Sequence, residues 1–460
     1  MNNMNVLLVT YSFPPVGGTG VMRATSLARY LPAEGIRLDV LTARNASGVG
    51  SDPTLLSDIP VEVTIHRAVT LDLPFSIKKL IRRVVAGKRP SKGAIAAGSS
   101  PGGKPTFLKR ALQDIMLPDP QVAWLPVLTR TARHIVRKRN IDLVIITVPP
   151  FSSTLLVERL RKEFPHLPIV IDFRDEWLTT NFDLAGFLFS TSENARNFAR
   201  KTEARAVTCA TAVVAVTEAA RVEIRNRYSQ EPDGKFHLIP NGYDAATLRR
   251  SRFSPASRTD GKIVVAHVGT INPVTDPTTL AEALQSLPPE VKSRFLLRFI
   301  GHIQEPRFRE ALLQLGDMVE LKGFLPQHEA LAMMNEADYV LLINDDPLNV
   351  SSKFYDYVGG GKPILGAVHA EGETRLLFDE LRAGWWAGNH DADGIRRLFL
   401  DAAARGSSLL TEYKPDTEKI AKYERKVLAK RYADLLHSIA GSQSQYDSPT
   451  SATQLVGPEQ

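Results

Sequence analysis

The sequence predicts an α/β protein of two tandem domains, each built on a doubly wound parallel sheet. Short apolar runs alternate with helical patterns along nearly the whole chain, and this alternation stops once and then restarts. The chain has 460 residues, a length that suits two or three domains. Strands that alternate with helices form βαβ units, and strands buried in a parallel sheet are apolar on both faces.

In the first half, the runs that predict strands are rich in valine, isoleucine and leucine. They are Val6–Val9, Leu38–Leu41, Leu143–Ile146, Ile169–Ile171 and Val213–Val216. Between them, apolar residues recur at helical spacing over Met22–Leu31, Leu155–Phe164 and Ala219–Tyr228. We therefore predict a first Rossmann-like domain over residues 1–240.

The alternation breaks at residues 241–260, a polar and basic stretch that we predict to be a linker. It restarts with strand-like runs at Ile263–Val268, Phe295–Ile300, Tyr339–Ile343 and Pro363–Leu365, and with helical patterns at Thr278–Leu287 and His328–Glu336. A second Rossmann-like domain is expected over residues 261–418, a last helix over 419–440 and a disordered tail over 441–460. Two such sheets leave a cleft at the carboxyl ends of their strands, where ligands bind.

The composition, 43% hydrophobic and 23% charged, is that of an ordinary globular protein. The net charge of +7 suits a phosphorylated small molecule, an anionic lipid or a nucleic acid, and charge alone does not choose among them. The single cysteine, Cys209, excludes an intrachain disulfide, and no cluster has the spacing of metal ligands. Because we find neither a signal peptide nor an apolar run long enough to span a membrane, we expect a cytoplasmic protein.

Two loops of the first half carry candidate site residues. Gly17 and Gly18 follow the first predicted strand and precede a helix, where bare backbone amides can contact an anion. The loop Asp172–Trp177 ends another strand, and its Arg174, Asp175 and Trp177 could bind a sugar. The alternatives are a plain tight turn for the first loop and an Arg–Asp pair that pins the second.

A third loop of this half contains Asp119, which precedes a predicted helix. We consider it either an acceptor-binding residue or a residue that caps a turn.

In the second half, Gly269, Thr270 and Asn272 follow a strand and suit a turn that faces a phosphate, although an ordinary strand-to-helix turn fits equally well. The strongest motif is residues 349–365. Ser351 and Ser352 are good N-cap residues, and Lys353 and Asp356 are spaced so that they share one helix face. A cation near free helix amides can hold a diphosphate, and the acid one turn later can accept ribose hydroxyls. The alternative is a surface Lys–Asp pair.

At these residues the chain resembles the GT-B glycosyltransferases, and in particular the retaining glycosyltransferase family 4. The resemblance covers roughly residues 4–440 and rests on the loops above together with Gly361-Lys362-Pro363, Ile239-Pro240-Asn241-Gly242, His267-Val268-Gly269-Thr270 and Val319–Phe324. It implies that Asp356 binds ribose and Lys353 lies near the diphosphate. It also implies that Gly323, Phe324 and Leu325 border the nucleobase, that Gly17 and Gly18 close over the phosphates, and that the last helix crosses back onto the first domain.

The chain departs from the family pattern in three respects, one of which is that Asp356 is shorter than the usual glutamate. The family usually carries two acids spaced eight residues apart, and Asp356 stands at the place of the second. Leu348 occupies the place of the first, with Asp345 and Asp346 nearby. The arginine common after the Gly269 strand is absent, because Thr270, Ile271 and Asn272 occupy that turn. Donor-phosphate binding is therefore expected to depend on Lys353 and backbone amides.

The resemblance implies transfer of a glycosyl group, of hexosyl type, from a nucleoside diphosphate sugar to an acceptor hydroxyl, with retention of configuration. We expect no metal and no cofactor, and an acceptor that is a carbohydrate or is linked to a lipid, in surface polysaccharide or glycolipid assembly. Arg174 and Asp175 would orient the acceptor as catalytic residues. A nucleotide-sugar epimerase and a non-catalytic partner protein of the same architecture stay open as alternatives, whereas nucleic-acid binding lacks a recognition motif.

One basic segment suggests a membrane surface as a partner. From Leu73 to Gln113 there are ten lysines and arginines and no acid, and Ile77–Val85 has an apolar face at helical spacing. A basic amphipathic helix suits an anionic membrane, so the sequence predicts peripheral binding at its inner face. A solvated loop with a small helix that faces the core is the alternative.

Overall fold

The computed structural model of the chain describes residues 3–46, 50–70, 117–181, 193–250 and 261–446. These form two α/β domains, each with one parallel sheet. The first sheet has seven strands in the order β3-β2-β1-β4-β5-β6-β7. The strands are β1 Met4–Val9, β2 Ile36–Ala43, β3 Thr64–Ala68, β4 Leu143–Val148, β5 Ile169–Phe173, β6 Ala212–Ala215 and β7 Phe236–Leu238.

The second sheet has six strands in the order β10-β9-β8-β11-β12-β13, and every pairing is again parallel. The strands are β8 Ile263–Val268, β9 Phe295–Ile300, β10 Val319–Gly323, β11 Tyr339–Asn344, β12 Ile364–Val368 and β13 Gly384–Gly388. Both orders reverse direction between the first strand of the domain and the fourth, which is the switch point where doubly wound sheets bind ligands.

Helices cover both faces of each sheet. In the first domain and its exit they are α1 Met22–Tyr30, α2 Leu125–Lys138, α3 Leu155–Glu163, α4 Glu193–Cys209, α5 Glu218–Arg227 and α6 Ala245–Arg250. In the second they are α7 Thr278–Gln285, α8 Pro289–Lys292, α9 Pro306–Leu313, α10 Gln327–Glu336, α11 Ser352–Gly359, α12 Glu373–Leu381, α13 Ala392–Arg405, α14 Ser407–Glu412, α15 Thr417–Ala421 and α16 Arg425–Tyr446. No helix in these ranges combines the length and apolarity that a membrane crossing requires.

The last helix belongs to the core of the first domain. Leu428, Tyr432 and Leu436 of α16 are buried in one cluster with Val6 and Leu8 of β1. Apolar side chains of the opposite face of the sheet form a separate cluster under α2, α3 and α4. The chain thus returns to the first domain after completing the second. The predicted GT-B architecture, with two doubly wound domains, a cleft and a crossover helix, is confirmed.

The two crossings between the domains lie side by side. The Tyr243 amide donates to the Tyr423 carbonyl at 3.1 Å, and the Arg425 amide donates to the Tyr243 carbonyl at 2.8 Å. A Cβ atom on Gly242 would lie 2.1 Å from the Tyr423 carbonyl oxygen, so this close approach requires glycine. We call residues 240–243 and 423–425 the crossing joint.

One buried ion pair connects the first domain to this joint. Arg23 of α1 donates through Nε and Nη2 to both carboxylate oxygens of Asp172 at 2.7–3.1 Å, and its Nη groups also donate to the carbonyls of Ile239 and Pro240 at 3.0 Å. The Asp172 side chain is wholly buried. The ring of Tyr432, on α16, lies 5.9 Å from the guanidinium carbon. Arg23 therefore holds α1, the end of β5, the crossing joint and the last helix together.

Three boundaries differ from the sequence-based expectation. Residues 245–250 of the expected linker form α6, because Leu248 is buried against the second domain and Asp244 accepts a hydrogen bond from the Thr247 amide at 2.8 Å. The expected last helix is two helices, α15 and α16, since the chain turns at residues 422–424 to meet Tyr243. The second of these continues to Tyr446, so residues 441–446 are helical.

Replacing Arg23 by methionine should lower the free energy of unfolding of the first domain by about 3–5 kcal/mol, because the wholly buried Asp172 carboxylate loses the cation with which it is paired. The measurement is urea denaturation followed by the fluorescence of Trp124 and Trp177. The control is Arg221→Met, which removes a partner of the exposed Glu218 and should leave the midpoint close to wild type. Equal effects of the two changes would contradict the central role of the pair.

Candidate functional site

Two neighbouring cavities, of 380 and 280 Å³, occupy the cleft between the domains. Both are lined by residues at the carboxyl ends of strands, as the topology requires. The larger cavity is bordered by both Asp175 of the first domain and Ser351 of the second. The two cavities share five lining residues, which are Gly20, Met22, Gly269, Thr270 and Lys353. A ligand that extends through both cavities must therefore pass Lys353.

The smaller cavity lies where the glycine loop of the first domain meets the second domain. Gly17 and Gly18 line it together with Phe324 and Leu325. A Cβ atom on Gly17 would lie 3.3 Å from the Asp52 Cβ and 3.5 Å from the Phe324 ring, so a larger residue would crowd this opening. The Asp52 carboxylate also accepts a hydrogen bond from the Gln327 amide of the second domain at 3.2 Å. One wall of this cavity is apolar and suits a flat ring. Another is formed by glycine backbone without side chains and suits a phosphate.

Gly323 lines neither cavity, although the resemblance implied that it borders a nucleobase. Its φ of +71° and its carbonyl, which accepts from the Gly301 amide at 2.7 Å, turn the chain so that Phe324 reaches the cleft. Gly301 itself approaches Gly269 closely, since an added Cβ would lie 1.9 Å from the Gly269 carbonyl oxygen. These glycines therefore set the position of the strand ends.

Helix α11 presents Lys353 and Asp356 to the cleft. Its other side chains, Phe354, Tyr355 and Tyr357, are buried, and the Tyr357 hydroxyl accepts from the Val268 amide at 2.9 Å. Ser351 is the N-cap, as predicted, and its hydroxyl accepts from the Lys353 amide at 3.4 Å. Burial of the opposite face fixes the helix, so that its polar face and its amino end both point into the cavities.

The charges of this helix are only partly compensated. Within the described ranges, the Lys353 ammonium makes no hydrogen bond and no ion pair at 4 Å or less. Burial lowers the pKa of Lys353, and nearby Asp356 opposes that shift. Burial raises the pKa of the Asp356 carboxyl, whereas Arg425 and Lys353 act to lower it. An ammonium group without a partner at the junction of two cavities is a site for an anion.

The turn after β8 also borders both cavities. Gly269 and Thr270 line them, and a Cβ atom on Gly269 would lie 3.4 Å from the Lys353 Cε. Asn272 lines the larger cavity, but its side-chain oxygen accepts from the amides of Val274 and Thr275 at 2.9 and 3.2 Å. Asn272 is thus the cap of a short turn, and that turn holds the backbone of Thr270 at the cleft.

On the first domain, the loop after β5 supplies Arg174 and Asp175 to the larger cavity. The Arg174 guanidinium donates to the carbonyls of Val148, Pro149 and Gly20, so it ties this loop to two others. Burial raises the pKa of the Asp175 carboxyl, and Asp346 of the second domain raises it further, while Arg174 opposes both. The two carboxyls therefore lie close enough across the cleft to affect each other.

Two residues predicted to bind an acceptor lie elsewhere. Asp119 is 5% exposed, lines neither cavity and accepts from the Ser152 amide at 2.8 Å, and burial raises its pKa to about 6. Trp177 is 3% exposed and stacks on Phe151 with ring centroids 4.5 Å apart. The structure contradicts both acceptor-binding roles, because these side chains pack inside the first domain. Asp119 makes no side-chain cap bond to its own turn and instead ties its loop to the Ser152 amide.

Three residues of the site were not predicted. Asp346, His267 and Arg425 all line the larger cavity. Asp346 had been noted only as an acid near Leu348, and its Oδ1 accepts from the amides of Leu348 and Asn349 at 2.9 Å. His267 lies within a motif that carried the resemblance, but nothing in the spacing marked its ring. No local signal identified Arg425, which is 69 positions after Asp356 in the chain.

His267 is held as a neutral imidazole. Its Nδ1 lies 3.1 Å from the Leu341 carbonyl oxygen, which can only accept, so Nδ1 carries the proton. Burial lowers the pKa of His267 to about 4, and the Lys353 ammonium contributes to the shift. The Nε2 atom is buried and has no partner within the described ranges. It therefore offers a lone pair beside Gly269 and Lys353.

The domains also contact each other beyond the cavities. The Thr217 hydroxyl donates to the Leu348 carbonyl at 2.5 Å, and the Ala219 amide donates to the Glu373 carboxylate at 2.6 Å. These bonds place the amino end of α5 against the second domain. No group of three or more metal-ligating side chains is arranged for a metal ion in the described part of the chain.

Residues 17–242 match the family described as glycosyl transferase 4-like domain. The matched segment contains the glycine loop, the Asp172–Trp177 loop and the first crossing between domains. The first domain belongs to the glycosyl transferase 4-like family. Two curated relatives are both named colanic acid biosynthesis glycosyltransferase WcaL, from Salmonella typhimurium at 26% identity and from Escherichia coli at 27% identity, each over 133 residues. The match covers 27% of this chain and 32% of each relative, so the chain spans about a third of their length.

Solved structures match this chain over nearly its whole length. Sucrose-phosphate synthase from Thermosynechococcus elongatus has a TM-score of 0.64 at 15% identity, over 95% of this chain and 100% of that one. Anabaena Alr3699/HepE in complex with UDP and glucose has a TM-score of 0.61 at 15% identity, with the same coverage. WaaG, a glycosyltransferase involved in lipopolysaccharide biosynthesis, has a TM-score of 0.56 at 16% identity, over 96% and 100%. At these identities the likeness shows the shared fold.

The free energy of unfolding of the second domain should depend on pH through His267. The unfolded chain binds this proton at about pH 6.5 and the folded protein only at about pH 4, so stability falls as the pH drops through that window. Between pH 7 and pH 5, the wild type should lose about 1–2 kcal/mol more than His267→Gln. The measurement is urea denaturation at both pH values, followed by the fluorescence of Trp385 and Trp386. Identical pH dependence in the two proteins would mean that the ring is not held neutral.

Proposed function

We propose that this chain is a glycosyltransferase that transfers a hexosyl group from a nucleoside diphosphate sugar to an acceptor hydroxyl. The observation that carries the proposal is the unpaired Lys353 ammonium at the junction of two cavities, beside the amino end of α11 and opposite Asp175. The smaller cavity has the walls for a nucleoside, and the larger has room for a sugar and the group that attacks it. The family of the first domain and the names of the curated relatives support the same activity.

The donor would lie with its nucleoside in the smaller cavity. Phe324 and Leu325 offer an apolar surface to a base, and Asp356 offers a carboxylate to ribose hydroxyls. The diphosphate would then contact Lys353 and the amides at the start of α11, where helix dipole and free N–H groups favour negative charge. The Anabaena protein named above was solved with UDP and with UDP-glucose, which supports a nucleotide sugar as the donor here.

The chemistry of such a site is to stabilise a leaving group. As the bond between the anomeric carbon and the phosphate oxygen breaks, negative charge grows on the diphosphate, and a fixed ammonium stabilises that charge more than it stabilises the ground state. Asp175 faces the same cavity from the first domain and would orient the acceptor hydroxyl. Retention of configuration and independence from metal and cofactor stay predictions that rest on the family resemblance.

The acceptor and the place of action are also proposals. The curated relatives are named for colanic acid biosynthesis and WaaG for lipopolysaccharide biosynthesis, which supports a role in surface polysaccharide or glycolipid assembly. The predicted cytoplasmic location on the inner face of the membrane fits an acceptor linked to a lipid. Membrane binding was predicted from the basic segment Leu73–Gln113, which lies wholly outside the described residues. It therefore stays a prediction.

Lys353→Ala should weaken binding of nucleoside diphosphate, nucleotide sugar and pyrophosphate by about ten- to a hundredfold, because each loses a charge-assisted contact. Asp356→Asn should weaken the first two and leave pyrophosphate almost unchanged, since pyrophosphate has no ribose. Titration calorimetry with UDP, GDP and ADP and their sugars is the measurement. Lys414→Ala, an exposed change in the same domain, is the control. If both site variants bind nucleoside diphosphate like wild type, the donor site is elsewhere.

Asp175→Asn should reduce sugar transfer at least about a hundredfold while donor affinity stays within about twofold of wild type, because Asp175 lines the larger cavity and not the smaller one. Transfer is measured from the nucleotide sugar that binds the wild type to acceptors in a membrane lipid extract. Asp434→Asn, on the exposed face of α16, serves as the matched control. A parallel loss of donor affinity would place Asp175 on the donor side of the cleft.

A further inference from the structure

Four cationic side chains line the larger cavity, and in two of them every nitrogen already donates a hydrogen bond. They are Arg23, Arg174, Lys353 and Arg425. Arg23 is paired with Asp172 and two carbonyls, and Arg174 donates to three carbonyls. Within the described ranges, Lys353 and Arg425 are therefore the cations at this cavity with a side-chain nitrogen that makes no hydrogen bond.

Arg425 is held firmly by the crossing joint. It is the first residue of α16, and its side chain is 7% exposed. Its backbone amide donates to the Tyr243 carbonyl at 2.8 Å, and its Nε donates to the Gly242 carbonyl at 2.9 Å. The bond to Nε fixes the plane of the guanidinium, so the positions of both Nη groups are set before any ligand arrives.

The two Nη groups of Arg425 are not satisfied within the described ranges. The nearest carboxylate oxygen is Asp356 Oδ1, 3.7 Å from Nη2, which is beyond hydrogen-bonding distance. Nη1 and Nη2 have four N–H groups between them, and a buried guanidinium normally pairs them. The arrangement therefore leaves a fork of donors facing the cavity.

The acids beside these two cations leave them incompletely paired. Asp356 lies near both Lys353 and Arg425, whereas Asp244, which also lies near Arg425, is paired with Arg29 at 3.1 Å. The turn after Gly269 adds no cation, since Thr270, Ile271 and Asn272 occupy it. One anionic group that contacted both residues would give hydrogen-bond acceptors to the Lys353 ammonium and to the Nη groups of Arg425. A phosphate is the group whose oxygens fit an arginine fork and an ammonium together.

We propose that Arg425, delivered by the last helix, binds the diphosphate of the donor together with Lys353. The proposal rests on the proposed function, because it names a second cation for the same donor. It makes α16 part of the donor site as well as part of the core of the first domain. Donor binding would then depend on the crossing joint, because the bonds to Gly242 and Tyr243 hold Arg425 in place.

The test compares Arg425→Met with Arg431→Met by titration calorimetry. Arg431 lies on the same helix and donates to the Leu238 carbonyl at 3.0 Å, but it is exposed and lines neither cavity. The ligands are the nucleoside diphosphate that binds the wild type, chosen from UDP, GDP and ADP, the matching nucleoside, and pyrophosphate. Arg425→Met should weaken both diphosphates by about ten- to a hundredfold and leave the nucleoside unchanged. Arg431→Met should bind all three like wild type.

Two results would overturn the proposal. One is wild-type affinity for the diphosphates in Arg425→Met. The other is an equal loss for nucleoside and diphosphates, which would show that Arg425 only shapes the joint. If Arg425→Met does not fold, Arg425→Lys against Arg431→Lys decides. An ammonium cannot hold Gly242 and keep a fork, so a several-fold loss for diphosphates alone is expected, and no loss refutes the role. Absence of nucleoside diphosphate binding in the wild type would instead contradict the proposed function.

Discussion

The buried pair of Arg23 and Asp172 is the interaction on which the geometry of the cleft depends. It joins the first helix to the end of β5, and the same guanidinium holds the carbonyls of Ile239 and Pro240, where the chain leaves the first domain. A carboxylate without solvent access is costly unless its partner is in place, so these segments can only be buried together. The loop with Asp175 and the crossing joint with Arg425 are both adjacent to this pair, and their separation across the larger cavity follows from it.

The cleft combines this fixed frame with groups whose charges are not balanced. The carboxyls of Asp175 and Asp346 have raised pKa values because they are buried and lie near other acids. Lys353 and Arg425, in contrast, have no carboxylate oxygen closer than 3.7 Å within the described ranges. Acidic and basic groups with perturbed pKa values in one cavity are typical of functional sites, because a hydrophobic core would either pair such groups or exclude them. The glycine loop and the amino end of α11 add backbone amides to the cationic side.

The sequence was sufficient to predict the fold and many of the residues that line the two cavities. Buried strands such as Ile263–Val268 were visible because both of their faces are apolar, and the structure has that strand with the same bounds. The edge strands β3 and β10 were missed as strands because their residues are only partly buried and include His66, Arg67, Glu320 and Lys322. Trp177 was misplaced because a loop position does not reveal that its indole stacks under Phe151. Arg425 could not be found, since its place in the cleft depends on a crossing that joins residues 182 positions apart, as Tyr243 and Arg425 are.

The side-by-side crossings have a mechanical consequence. At the crossing joint, two segments of the chain pass between the domains side by side and are hydrogen-bonded to each other. A connection of this kind allows the two domains to rotate about the joint and resists sliding of one domain over the other. An opening of the cleft by rotation about the joint would break the bonds of Thr217 and Ala219 to the second domain and the bond between Asp52 and the Gln327 amide. Under the proposed function, release of the nucleotide product would require such a rotation, and these bonds between the domains would help to set how long a turnover lasts.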